Sequence, residues 1–184
     1  MTGLKVILEE RLHGDELDFA GVALAISRIP YGRPEDLTPE GVLHDWRGTC
    51  STKHMLFAAI VEGTWPRRRP VLWHRLYIVT QASARARWGN DVADVVPPKG
   101  LVDVHTFATA EVNDRRVRVD VTFPLSSWDG ASDVPLACDD GEDFPAGENP
   151  LASKSQLVAA NCDRALREPF IAALSGLTAK SQHS

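Results

Sequence analysis

Two runs near the middle of the chain constrain its fold most. Val102 to Val112 and Arg115 to Phe123 are rich in β-branched residues and flank Asn113-Asp114, a pair suited to a two-residue hairpin turn. With that turn, Val112 faces Arg115, His105 faces Thr122 and Asp120 faces Phe107. His105 and Asp120 are then diagonal neighbours on one face, within reach of a side-chain hydrogen bond. A slip of one residue would send them to opposite faces. Alternation gives the hairpin a core face, with Val104, Thr106, Ala108, Ala110 and Val112 opposite Val117, Val119, Val121 and Phe123. The other face is polar, carrying His105, Phe107 and Thr109 with Arg118, Asp120 and Thr122. An antiparallel sheet with one face on a core follows.

Upstream, Trp46-Arg47-Gly48-Thr49-Cys50-Ser51-Thr52-Lys53-His54 reads as a glycine turn opening an amphipathic helix that stops at Gly63. Thr49 is suited to cap that helix, which leaves Cys50 in its first turn. Unsatisfied N–H groups and the positive end of the helix dipole favour thiolate over thiol there. Two uses fit a cysteine so placed: a nucleophile or a small apolar filler. A thiol nucleophile needs a base and a group to orient the base, and His105 with Asp120 supplies such a pair. His54, one turn after Cys50, is expected to line or underlie a pocket. Lys53 is expected to be a solvated helix lysine, and His74 a core or edge histidine of an apolar strand. Cys138 and Cys162 have no patterned base nearby. No metal is expected, because neither Cys-x-x-Cys nor His-x-x-x-His occurs.

Around this centre the pattern predicts an α+β chain. Asp15 to Arg28 reads as a helix, and Thr38-Pro39 starts another. Val71 to Thr80 reads as a strand, Ala82 to Arg87 fits either type, and Trp88 to Gly100 reads as loop. Residues 125–150, rich in Pro, Gly, Ser and Asp, read as a long loop whose cluster Asp139 to Asp143 is solvated and wrongly spaced for calcium. Leu151 to Leu174 reads as a helix bent or broken at Pro169, with a frayed tail after Gly176. One domain over residues 1–184 is expected, with a core at about 39–124.

A net charge of −5 removes the electrostatic case for nucleic acid as the main partner. The basic run Arg67-Arg68-Arg69 lies between Pro66 and Pro70 and reads as a solvated loop. Met1 to Arg11 mixes Lys5, Glu9, Glu10 and Arg11 into its apolar residues, so no signal segment or membrane span is expected, and a cytoplasmic location is. Three scattered cysteines fit reduced thiols.

Arg47-Gly48-Thr49-Cys50 opening a helix, then His105-Thr106-Phe107, then Asp120-Val121-Thr122, resembles the transglutaminase-like cysteine superfamily. The likeness spans roughly Trp46 to Phe123 and lies in the combination and order of the motifs. The phrase Gly48-Thr49-Cys50-Ser51-Thr52-Lys53-His54 is also similar to a small bacterial branch of that superfamily, which ends in a helix with an Arg-Glu pair, here Arg167-Glu168. The resemblance implies a cysteine helix packed on an antiparallel sheet. It also implies Cys50 as nucleophile, His105 as general base and acid, and Asp120 fixing the imidazole tautomer. Trp46, which is not at the spacing of the family's site tryptophan, is with His54 and Phe107 a candidate substrate-binding residue. No cofactor is implied, and the substrate class is a peptide, amide or small acyl compound, hydrolysed or transferred through a thioester. Ser51 after the cysteine, where the family often has an aromatic, departs from the pattern. Two alternatives stand beside this reading. One is an arylamine N-acetyltransferase-like acyltransferase, a family that also uses Arg-Gly-x-x-Cys with His and Asp, although its glycine is placed differently. The other is a binding protein that keeps the fold without catalysis.

Overall fold

A computed structural model describes residues 3–181. In chain order the elements are α1 (Gly3–Arg11), α2 (Phe19–Arg28), α3 (Pro39–Asp45), α4 (Cys50–Thr64), β1 (Val71–Val79), α5 (Gln81–Trp88), α6 (Asn90–Ala93), β2 (Leu101–Val112), β3 (Arg115–Val119), β4 (Gly141–Pro145), α7 (Pro150–Asn161) and α8 (Arg164–Ser181). The fold is α+β: four antiparallel strands in the order β3-β2-β1-β4, with eight helices among the described residues.

The hairpin forms in the expected register. Val112 pairs with Arg115 and Ala108 with Val119. Asn113 and Asp114 both take positive φ, 49° and 60°, the turn geometry that matches strand twist. β3 stops at Val119, however, so β2 lacks that neighbour over residues 101–107 and Asp120 lies just beyond the ladder.

Each side of the sheet has its own apolar cluster. Ala108, Ala110 and Val112 join residues of α1 to α4, among them Leu8, Val22, Ile26, Phe57 and Ile60. Leu101 and Phe107 join Tyr77, Val92, Phe170 and Leu174 beside α6 and α8. The face that composition marks as polar is therefore buried: His105, Phe107, Thr109, Asp120 and Thr122 are all inside, and only Arg118 is exposed. Strand alternation misleads here because it stops with β3; Phe123 stacks on Tyr31 beside the second cluster rather than joining the first.

Three further expectations change. Residues 81–88 form α5, and 90–93 form the short α6 within the expected loop. The acidic stretch holds strand β4, which pairs with β1, and two of its four carboxylates are hydrogen-bonded: Asp143 takes a two-pronged grip from Arg75 at 2.6 and 2.7 Å, and Asp139 binds Arg87 at 2.6 Å, while Asp140 and Glu142 are exposed as expected. The C-terminal helix breaks at residues 162–163, not at Pro169, which sits inside α8; the helix runs on past Gly176 to Ser181, and residues 182–184 lie outside the described residues. Among the described residues no helix is long and apolar enough to cross a membrane.

Candidate active site

The turn into α4 is built by backbone pairing. Trp46 caps α3 in a left-handed conformation, φ 50°, and reverses the chain. Gly48 then donates to the Pro30 carbonyl at 3.0 Å and accepts from the Gly32 N–H at 3.2 Å, which places Tyr31 beside Cys50 at one cavity. A side chain at Gly48 would put its Cβ 2.6 Å from Lys53 Cγ, so glycine leaves room for the lysine stem. Thr49 is the N-cap, Thr52 Oγ1 accepts the Thr49 N–H at 2.9 Å, and Cys50 is the first residue of α4.

His105 Nε2 donates to Asp120 Oδ2 at 2.7 Å, the diagonal contact that the hairpin register predicts. The same Asp120 oxygen accepts the Ala137 N–H at 2.8 Å, and Oδ1 accepts the Thr122 N–H at 2.9 Å. Burial would raise this carboxyl, but the charge and hydrogen bond of His105 hold it well below the usual carboxylate range. Nδ1 of His105 is the ring nitrogen that Asp120 leaves over, and the ring is near enough to Cys50 for each to shift the other's titration. Burial works against a charged His105; Asp120 and then Cys50 outweigh it and bring the imidazolium up to about 10.

A residue that the sequence does not single out completes the group. Lys154, from α7, lies 2.9 Å from Cys50 Sγ, 3.0 Å from Ser51 Oγ and 3.3 Å from Thr106 Oγ1. An ammonium has three protons to donate, and these are three acceptors. Proton bookkeeping around them is consistent. His74 Nε2 donates towards the Pro150 carbonyl at 3.0 Å, so Nδ1 accepts from Thr106 at 3.1 Å, and Thr106 in turn accepts from Lys154 and from Ser51 at 3.0 Å. Burial, and next to it Lys154, hold His74 down to about 4, so the ring is neutral. Burial would raise the Cys50 thiol, but Lys154 and His105 overcome it and bring it down to about 5. At neutral pH Cys50 is a thiolate between two cations.

The remaining sequence-predicted residues take supporting places. His54 is wholly buried beneath the site: Nδ1 donates to the Cys50 carbonyl at 2.6 Å and Nε2 accepts the Val121 N–H at 3.0 Å. Burial pushes it down to about 4, so it is a neutral brace between α4 and the chain after β3. Lys53, far from solvated, is fully buried and donates to the carbonyls of Ser27, Ile29 and Thr122 at 2.8–2.9 Å. Burial lowers its ammonium to about 7 against the pull of Asp120. Trp46 packs on the first cluster with Arg11 over its ring at 5.4 Å, and Phe107 lies in the second cluster under Arg75. None of Trp46, His54 and Phe107 lines the cavity at Cys50. Burial, and secondarily the Asp120 charge, push the Cys138 thiol up; Cys162 is half-buried and also raised by burial.

The cavity outside Cys50 has a volume of about 480 Å³ and lies between the start of α4, the Tyr31–Arg33 segment and α7–α8. Cys50 is 6% exposed and Lys154 9%, so the thiolate meets this space through a narrow opening. Among the described residues no cluster of three or more His, Cys, Asp or Glu is placed to hold a metal ion. Set against protein-family models, curated proteins and solved structures, the chain finds no match.

Proposed function

We propose that this protein is a cysteine-dependent acyl enzyme of the transglutaminase-like kind, working through a thioester on Cys50. The observation that carries the reading is the cationic setting of the sulfur, with Lys154 in contact at 2.9 Å and an Asp120-bound His105 near enough to lower the thiol. A cysteine that merely fills space has no use for either charge.

In the first half-reaction the Cys50 thiolate adds to the carbonyl carbon of an amide or ester. The carbonyl electrons move to oxygen, where the Cys50 N–H in the first turn of α4 and the helix dipole meet the developing charge. Collapse expels the leaving amine or alcohol, which takes the Nδ1 proton of the His105 imidazolium. The product is an acyl thioester and a neutral imidazole. In the second half, water or an amine gives a proton to His105 as it adds to the thioester, and collapse releases the acyl product and the thiolate. Asp120 keeps the Nε2 proton in place throughout, so that Nδ1 is the exchanging nitrogen. Hydrolysis and transfer differ only in the second nucleophile.

The test is an adduct. Brief treatment with a p-nitrophenyl ester should leave one hydroxylamine-sensitive acyl group on the Cys50 peptide, and Cys50→Ala should lose both the adduct and ester turnover. Equal turnover in that variant, or an acyl group found only on other residues, would end the proposal.

A further inference from the structure

One face of α7 lines the cavity. Leu151, Lys154, Ser155, Val158 and Ala159 recur at spacings of three and four and so share a stripe of the helix. The stripe is polar next to Cys50 and apolar further along. Its far end is cationic: Arg164 and Arg167 open α8 there, and Arg33 faces them from the segment after Tyr31. Arg167 is committed, since its Nε donates to Asp103 at 2.6 Å. Lys154 is committed to the thiolate. Arg33 and Arg164 are exposed and pair with no acidic side chain among the described residues. Among the described residues Glu168 is the sole carboxylate on the cavity wall, and it lies 3.9 Å from Arg167. A chain of net charge −5 thus keeps a positive field at the cavity that reaches its buried sulfur.

From this we infer that the acyl donor carries a carboxylate, held at Arg33 and Arg164, with an apolar stem along α7 and its carbonyl at Cys50. Guanidinium groups suit a carboxylate because two N–H donors match its two oxygens. A singly charged group also fits better than a dianionic phosphate, because Glu168 shares the wall. Along α7 the rise from Lys154 to its end at Asn161 is roughly 10 Å, room for a stem of several carbons. The inference rests on Cys50 as the nucleophile, so the experiment separates the two.

Two maleimides of equal length serve as probes: 6-maleimidohexanoate, with a terminal carboxylate, and its neutral amide. The rate of addition to Cys50 is read from its peptide, for the full chain, Arg33→Gln/Arg164→Gln and, as control, Arg115→Gln at the hairpin turn. In the double variant the acid-to-amide rate ratio should fall about tenfold at low salt, as expected for losing two charges near the probe's carboxylate. The amide rate and the control should not change. Both arginines are exposed, so folding is kept, as matching melting curves will show. A ratio within twofold of the unsubstituted protein would overturn the carboxylate site and leave the nucleophile standing. An amide rate at Cys50 no faster than that of a small free thiol would instead strike at the nucleophile, whatever the ratio does.

Discussion

At the scale of single residues, Cys50 and His105 titrate as a pair. Below the acid limb, near 5, the sulfur holds a proton and cannot attack; above the alkaline limb, near 10, His105 has lost the proton that the leaving group needs. Turnover should be a broad bell between them, with limbs that belong to the coupled pair. The Lys154 charge is the largest single influence that lowers the thiol. In Lys154→Met the acid limb should rise by at least about one pH unit, cutting alkylation of Cys50 by iodoacetamide at pH 6 about twofold or more. A limb that stays in place would show that the ammonium does not hold the thiolate. Cys50, His105 and Asp120 are legible in sequence because a helix start and a hairpin register are local patterns. Lys154 is not. Its neighbours Ser153 and Ser155 read as an ordinary polar helix surface, and nothing nearby shows that the amine reaches a sulfur 104 positions away. Lys53 misleads for the same reason, since its three carbonyl partners come from two distant segments.

Among the elements, β4 matters most for what the site contains. Gly-Glu-Asp-Phe-Pro has no apolar alternation, so the sequence reads as loop; partnership with β1 makes it a strand. From β4 the chain passes straight into α7. The entry to α7 is fastened by His74 to the Pro150 carbonyl and by Ser153 Oγ to the Ala146 carbonyl at 2.7 Å. Gly141 lies so close to β1 that a Cβ there would stand 2.1 Å from the Leu76 carbonyl oxygen. Gly141→Ala should therefore lift β4 from β1, loosen the entry to α7 and draw Lys154 off the sulfur. The expected result is an acid limb for Cys50 labelling shifted upward as in Lys154→Met, with the melting temperature lowered by several degrees, as about 1–2 kcal/mol would do in a chain of this size. Normal labelling in a destabilised variant would separate β4 from the site.

At the scale of the whole molecule, the α+β class and the antiparallel hairpin are legible in the strand runs and helix caps. The burial of both sheet faces is not, because the second cluster gathers residues from segments as far apart as Tyr31 and Leu174. One stability effect follows from the site at its centre. The Asp120 carboxyl is depressed in the fold, while in the unfolded chain it titrates near 3.9, as a free aspartate does at about that value. Its stabilising contribution is complete above that pH and is lost as pH falls towards the folded value. Melting temperature should decline as pH is lowered from about 4 to about 2, and Asp120→Asn should flatten that decline. An equally steep decline in the variant would place the acid sensitivity in other carboxylates.

Lys154 also sets a timetable. A ribosome delivers Cys50, His105 and Asp120 well before α7, and domains form as their segments emerge. Until the last helices dock, the nascent chain holds its thiol without the strongest counter-charge. The sulfur is thus quiet while the polypeptide is unfinished and among other proteins' carbonyl groups. On the chemistry proposed above, it becomes a thiolate at neutral pH only once the C-terminal third has closed over it. A nick between β4 and α7 that let the helix drift away would take the Lys154 charge from the sulfur without touching Cys50, His105 or Asp120.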